Sequence, residues 1–381
     1  MLTSRINFKN FKLKSKNFKI KKELLSILNN KNEVLLSLGK KYKINFNLNK
    51  YKNFRNIRII GIGGSSLGSK AIYDFLKHKI NKKFIFIDNL QVNKKKESKK
   101  KFLNLIVSKS GNTIETIVNS NIIINKKDKN IFITENKNNY LHKLAEKFKS
   151  EIVHHNNFIG GRYSVLSEVG MLPAELVGLK PEKFKQLNYL IKNKKFIDSL
   201  IKNVASTINL IKNKKNISVI LNYDEKSENL FKWYQQLIAE SLGKKAKGIL
   251  PIISTMPKDN HSLIQFYLDG PQKNFFTFFH VINKKSIKIN NKNILSSHNF
   301  LKNKNMEQII YSQKLATEKV FSKKNIPFRS FEIVKRDEKT IGELFSFFIL
   351  ETILLGRSLK VDPFDQPAVE LIKTETKKNL I

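Results

Sequence analysis

From residue 57 onward the chain is a succession of short apolar runs, each followed by a longer amphipathic stretch. The runs Ile57–Ile60, Phe84–Ile87, Leu103–Val107, Ile131–Thr134 and Ile152–Val153 show almost no polar alternation, so both faces of these strands need cover. Helices between them, such as the stretches from about Gly68 to Leu76 and Leu141–Phe148, supply that cover only if the strands lie parallel in βαβ units. The alternation recurs in Ile217–Asn222, Ile249–Ile253, Phe275–Ile282 and Phe328–Val334, with helical stretches at Ser227–Leu242, Glu307–Lys323 and Thr340–Leu359. A chain of 381 residues exceeds what one core serves. The expectation is therefore an α/β protein with two doubly wound parallel-sheet lobes, α-β-α sandwiches over residues 51–190 and 191–360. An N-terminal helical extension (1–50) and a C-terminal helix (361–381) would flank them.

Charge does not add a partner. Lys and Arg number 72 against 31 Asp and Glu, a formal charge of +41, yet only seven residues are arginine. Lysine is spread along the whole chain rather than gathered in a stripe, and it keeps company with abundant Asn, Ile and Phe. That pattern reads as AT-rich coding and solvated faces, not as a specific nucleic-acid surface; the excess would attract anionic substrates and aid solubility. The Lys/Asn-rich stretches 93–101 and 283–305 read as loops. Cysteine is absent, which excludes disulfides, Cys metal sites and thiol nucleophiles. Residues 1–21 lack an apolar signal region, and no stretch reaches the length of a membrane span. The most apolar segment, Ile341–Leu355, carries Glu343 and Glu351 and reads as a buried helix. A cytoplasmic protein without membrane attachment is expected.

Six segments carry chemistry. Gly61-Ile62-Gly63-Gly64-Ser65-Ser66 joins a strand to a helix, where glycine lets backbone N–H groups crowd an anion. The strict dinucleotide fingerprint fails at Ser66, leaving a dinucleotide, a structural turn or a sugar-phosphate loop open. Ser108-Lys109-Ser110-Gly111-Asn112-Thr113 follows the third strand and brings three hydroxyls to a helix N-terminus, which suits a phosphomonoester; a solvated N-cap is the plain alternative. Gly160-Gly161-Arg162-Tyr163-Ser164 holds the only arginine between Arg58 and Arg329, either a bidentate requirement or a structural ion pair. On the Ser227–Leu242 helix, Gln236 and Glu240 share a face, so a carboxylate sits beside an amide. His261 opens a further helix, as a cap or a surface residue if not more. Gln366 and Lys373 stand two turns apart in the final helix.

Taken in order, these segments resemble the glucose-6-phosphate isomerase (phosphoglucose isomerase) family, built from two SIS-type lobes, over about Gly61 to Lys373. The resemblance implies reversible isomerisation of glucose 6-phosphate and fructose 6-phosphate, in glycolysis and gluconeogenesis, with no metal or organic cofactor. Glu240 matches the base that moves a proton between C2 and C1 through a cis-enediol(ate), and Arg162 the cation that stabilises that intermediate. His261 and Lys373 match residues assigned to ring opening. Ser108, Lys109, Ser110 and Thr113 match the phosphate loop, Gly64 and Ser65 lie beside the sugar, and Gln236 and Gln366 match substrate-contacting amides. A homodimer with shared sites is implied, because the histidine reaches the neighbouring subunit. Glu168, Leu242 and Ala368 depart from the family pattern. Two other readings remain beside it: a dual phosphoglucose/phosphomannose isomerase, and a non-catalytic sugar-phosphate-binding SIS protein.

Overall fold

Ten strands make two five-stranded sheets in the computed structural model, which describes residues 2–13, 18–30, 32–92, 101–124 and 127–381. Most of the basic loop expected at 93–101 lies outside the described residues. In chain order the strands are β1 (Ile6–Lys9), β2 (Asn56–Ile60), β3 (Lys83–Ile87), β4 (Leu103–Val107), β5 (Lys129–Glu135), β6 (Glu151–His155), β7 (Ile217–Asn222), β8 (Leu250–Thr255), β9 (Asn274–Val281) and β10 (Phe328–Ile333). The first sheet has the order β3-β2-β4-β5-β6 and is parallel throughout. The second has the order β1-β10-β9-β7-β8, parallel except at β1. The α/β class with SIS-type lobes expected from the sequence is the observed fold.

Both sheets thus wind alike, the second strand of each lobe on one side of the first and the rest on the other. The fifth place is filled by parallel β6 in one lobe and by antiparallel β1 in the other. This corrects the N-terminal extension expected to be helical: its first element is an edge strand of the second sheet. Ile6 and Phe8 alternate with polar residues, so the run is too short and too diluted by Lys and Asn to announce a strand. Pairing with β10 decides it, with Phe8 4.5 Å from Phe331 between ring centroids. The helix Phe18–Asn29 follows as expected.

Central strands are buried on both faces: every residue of β4 and of β9 is buried. The helix Glu338–Leu359 is sunk into the second lobe almost along its length. Its carboxylates are paired, Glu343 Oε2 accepting from Thr3 Oγ1 at 2.7 Å and Glu351 Oε1 from Asn203 Nδ2 at 2.6 Å and from Arg329. No helix among the described residues is long and apolar enough to cross a membrane.

The lobes meet along the helix Glu228–Leu242, which packs on the first-lobe helix Leu67–Phe75 and on the helix Glu338–Leu359. Phe75, Val165, Trp233 and Phe345 belong to one continuous apolar core that crosses this boundary. Burying a phenylalanine there contributes about 1.5–3 kcal/mol to holding the two lobes together.

Candidate active site

In an open α/β sheet, the carboxyl ends of the strands on either side of the order reversal leave a crevice. In the first lobe those strands are β2 and β4, and both glycine-rich or hydroxyl-rich turns leave from them. They touch: a Cβ on Gly61 would lie 2.7 Å from the Val107 carbonyl oxygen, just before Ser108. Gly63 has φ +58°, a conformation open to glycine, and turns the chain towards Gln236. Ser65 ends this 3-10 turn half-buried.

The hydroxyl-rich turn is tied from behind. Lys109 O accepts from Glu135 N and from Thr134 Oγ1, and Gly111 O accepts from Leu141 N. Ser108 Oγ and Thr113 Oγ1 lie 2.9 Å apart. Thr113 makes no side-chain cap on the helix Ile114–Ile123, so the first-turn amides keep their positive end for an anion. Lys109 is half-buried; burial lowers its pKa, and the Glu135 carboxylate opposes that. Ser110 is exposed, its hydroxyl accepting from Asn112 N at 3.3 Å.

The Gly160–Ser164 segment presses against the glycine turn. A Cβ on Gly64 would lie 2.2 Å from the Gly161 carbonyl carbon and 2.6 Å from Arg162 N. Arg162 follows in the 3-10 turn Gly161–Leu166 and is 2% exposed. Its carbonyl accepts from Trp233 Nε1 at 3.1 Å, and its side chain crosses to the second lobe.

There the guanidinium meets Glu240. Arg162 Nη1 donates to Glu240 Oε2 at 3.2 Å and to Gln366 Oε1 at 2.5 Å. The other Glu240 oxygen accepts from Gln236 Nε2 at 2.9 Å, one helical turn back. Gln236 Oε1 is buried with no hydrogen-bond partner among the described residues, and it is the Gln236 amide nitrogen that faces the turn at Gly63. A cleft of about 570 Å³ runs past Glu240 and Gln366, lined also by Lys244, Asp365, Ala368 and Val369.

Arg162, Glu240, Gln236, Gln366 and Gly64 therefore come together, with Ser65 and the Ser108–Thr113 turn alongside through Gly61. His261 and Lys373 stand apart from this cluster. His261 does not open a helix: it is the exposed last residue of the 3-10 turn Lys258–His261, ahead of the helix Ile264–Asp269. Lys373 is exposed on the helix Pro367–Asn379 and pairs with Glu370 at 2.7 Å. Gln366 precedes that helix rather than sharing a face with Lys373, because Pro367 takes the first helical position. Sequence reasoning assigned no role to Ser241, Tyr163 or the carbonyls of Pro363 and Asp365, which surround the guanidinium. Tyr163 and Ser241 do stand next to Arg162 and Glu240 in the chain, the one local signal available.

Fold and cleft together define a two-lobed α/β protein of the sugar-isomerase type, with an arginine–carboxylate pair between its lobes. The chain belongs to the phosphoglucose isomerase family, whose model matches residues 40–380. It is 33% identical to a probable glucose-6-phosphate isomerase of Methanococcus maripaludis, over 85% of this chain and 78% of that one. Among solved structures it is similar to a hypothetical protein of Thermus thermophilus, with TM-score 0.83, 22% identity and coverage of 95% and 94%. A glucose-6-phosphate isomerase of Chlamydia trachomatis has the same fold at TM-score 0.65 and 18% identity, covering 91% of this chain and 73% of that one.

Proposed function

We propose that the chain interconverts glucose 6-phosphate and fructose 6-phosphate by moving a proton between C2 and C1. Family membership and relatives named for that activity support the reaction. The observation that carries the mechanism is the Arg162–Glu240 pair at 3.2 Å, which joins the two lobes beside the cleft that Glu240 lines. A proton α to a carbonyl is weakly acidic, so its removal needs a positioned carboxylate and a fixed positive charge at the oxygen that becomes negative. Glu240 is assigned the first role and Arg162 the second.

The remaining residues serve binding. Ser108, Lys109, Ser110 and Thr113, with the free amides of the following helix, grip the phosphate, and that grip lends binding energy to the distant reacting carbons. Gly64 and Ser65 line the sugar, and Gln236 and Gln366 take its hydroxyls. His261 and Lys373 are assigned to ring opening, His261 reaching the neighbouring subunit's site in a homodimer. Exposed Leu263 and Phe266 near the one, and Leu371 and Ile372 near the other, are apolar surfaces of the kind such an assembly covers. The reading places the enzyme in the cytoplasm.

A coupled assay of the purified protein tests the reaction. Glu240→Gln is expected to lose turnover by 10²–10⁴-fold, roughly, and solvent-hydrogen exchange at C2 with it, while sugar-phosphate binding persists. Unimpaired exchange would refute Glu240 as the base. For the assembly, mixing the separately inactive Glu240→Gln and His261→Ala proteins is expected to restore part of the activity, since a mixed dimer holds one intact site.

A further inference from the structure

Arg162 has five N–H donors, and the structure finds an acceptor for each. Nη1 takes Glu240 Oε2 and Gln366 Oε1. Nη2 takes the carbonyls of Pro363 at 2.8 Å and Asp365 at 3.0 Å. Nε takes Ser241 Oγ at 2.8 Å. A developing oxyanion can therefore be served only by exchange, and only Nη1 has partners that are free to yield: two side chains at the cleft rather than main-chain carbonyls.

The other side of the guanidinium is closed into a ring. Ser241 Oγ lies 2.9 Å from Tyr163 Oη, and Tyr163 Oη donates to the Pro363 carbonyl at 3.0 Å, the same carbonyl that Arg162 Nη2 uses. An arginine only donates and a carbonyl only accepts, so the protons have one arrangement: Arg162 Nε to Ser241, Ser241 to Tyr163, Tyr163 to Pro363. These three bonds run in the same sense, each polarising the next, and Arg162 Nη2 meets them at the Pro363 carbonyl. Ser241 is 0% exposed, so no water competes for its hydroxyl. Burial pushes the Tyr163 pKa up to about 12, so its hydroxyl remains a donor.

We propose that Ser241 is a positioning residue for the isomerisation: with Tyr163 it locks the Nε–Nη2 edge of Arg162, so that Nη1 alone is free to pass from Glu240 to the oxygen of the reacting sugar. This inference rests on the isomerase reading above. Ser241 touches no substrate, and its effect reaches the reaction through the guanidinium angle. A guanidinium rotated by the loss of one edge bond still binds an anion, but it meets the transition state poorly, so the loss falls on kcat rather than on KM.

The test uses Ser241→Ala, Ser241→Thr, Tyr163→Phe and the double variant Tyr163→Phe/Ser241→Ala, with thermal melting beside steady-state kinetics on fructose 6-phosphate. Ser241→Ala is expected to lower kcat about 10- to 100-fold with KM held within about twofold, as for a misplacement of an oriented group. Ser241→Thr, which keeps the hydroxyl, regains part of that rate. The double variant is expected to be no slower than Ser241→Ala, because both changes open the same ring. A Ser241→Ala enzyme that melts normally and keeps its kcat, or single losses that multiply in the double variant, would overturn the proposal. Should Ser241→Ala fail to fold, an unchanged kcat in Tyr163→Phe overturns it as well. A wild-type protein that turns over no sugar phosphate overturns the isomerase reading and this inference with it, whereas an active wild type with an unaffected Ser241→Ala removes only the inference.

Discussion

Gly64 lies so close to Gly161 that a Cβ on the first would stand 2.2 Å from the carbonyl carbon of the second. The turn beside the sugar and the turn that carries Arg162 are therefore seated backbone to backbone. The clash is with main chain on both sides, which has no flexible end to swing away. Gly64→Ala is expected to push the Arg162 turn off its seat and lower kcat by roughly 10²-fold, the scale of an ångström-sized misplacement. Kinetics and a melting curve on the same preparation check this, and normal turnover would show that the contact is dispensable.

Arg162→Lys keeps the charge and loses the fork. An ammonium has three donors where the guanidinium uses five, so it cannot hold Ser241, Pro363 and Asp365 while still facing Glu240. The expected outcome is a folded protein with kcat reduced by roughly 10²–10³-fold, the range for removing an oriented oxyanion donor. Steady-state kinetics against wild type read it directly.

Acid should unfold this protein from two histidines. His155 and His280 are each 1–2% exposed, and burial pushes each pKa down from 6.5 to about 4, with the charges of Lys109 and Lys314 respectively adding to the effect. Above pH 6.5 both are neutral in folded and unfolded chains alike. Between pH 6.5 and 4 the unfolded chain binds the protons and the folded one does not, so stability falls as pH falls through that window. The carboxylates of Glu332, Asp224 and Glu318 oppose part of the shift at His280, and each pH unit below 6.5 is expected to remove up to about 1.4 kcal/mol per histidine. Melting temperatures at pH 7, 5.5 and 4.5 follow it, and a His155→Gln/His280→Gln double variant is expected to flatten the slope.

The second lobe is pinned by Arg329, fully buried and bonded to Glu351, Asn203, Tyr234 and Thr277. Arg329→Met fills the volume but leaves the Glu351 carboxylate buried without its cation. A loss of about 3–5 kcal/mol is expected, the range for breaking a buried pair by removing one partner. Adding Glu351→Met, which removes the stranded charge, should recover part of it in denaturant unfolding. No recovery would mean that packing rather than charge holds this site.

Where local pattern decides, the amino-acid order alone was enough. Runs such as Leu103–Val107 are apolar on both faces, and that is a property of neighbouring residues, so the parallel sheets and the turns at their carboxyl ends could be read before any coordinates. The residue types of the cleft were legible for the same reason: Gln236 and Glu240 share a helical face whatever surrounds the helix, and a nearly arginine-free chain drew notice to Arg162. Only the packing of the lobes decided what those residues do to one another. Arg162 meets Glu240 across 78 residues of chain and Gln366 across 204, and no periodicity spans such distances. The same holds for β1, a four-residue run whose state depends on β10 offering an unpaired edge 320 or more residues later. It holds again for Ser241, which as a sequence letter is one more helix serine and becomes the keeper of a guanidinium only because Tyr163 and Pro363 close a ring around it.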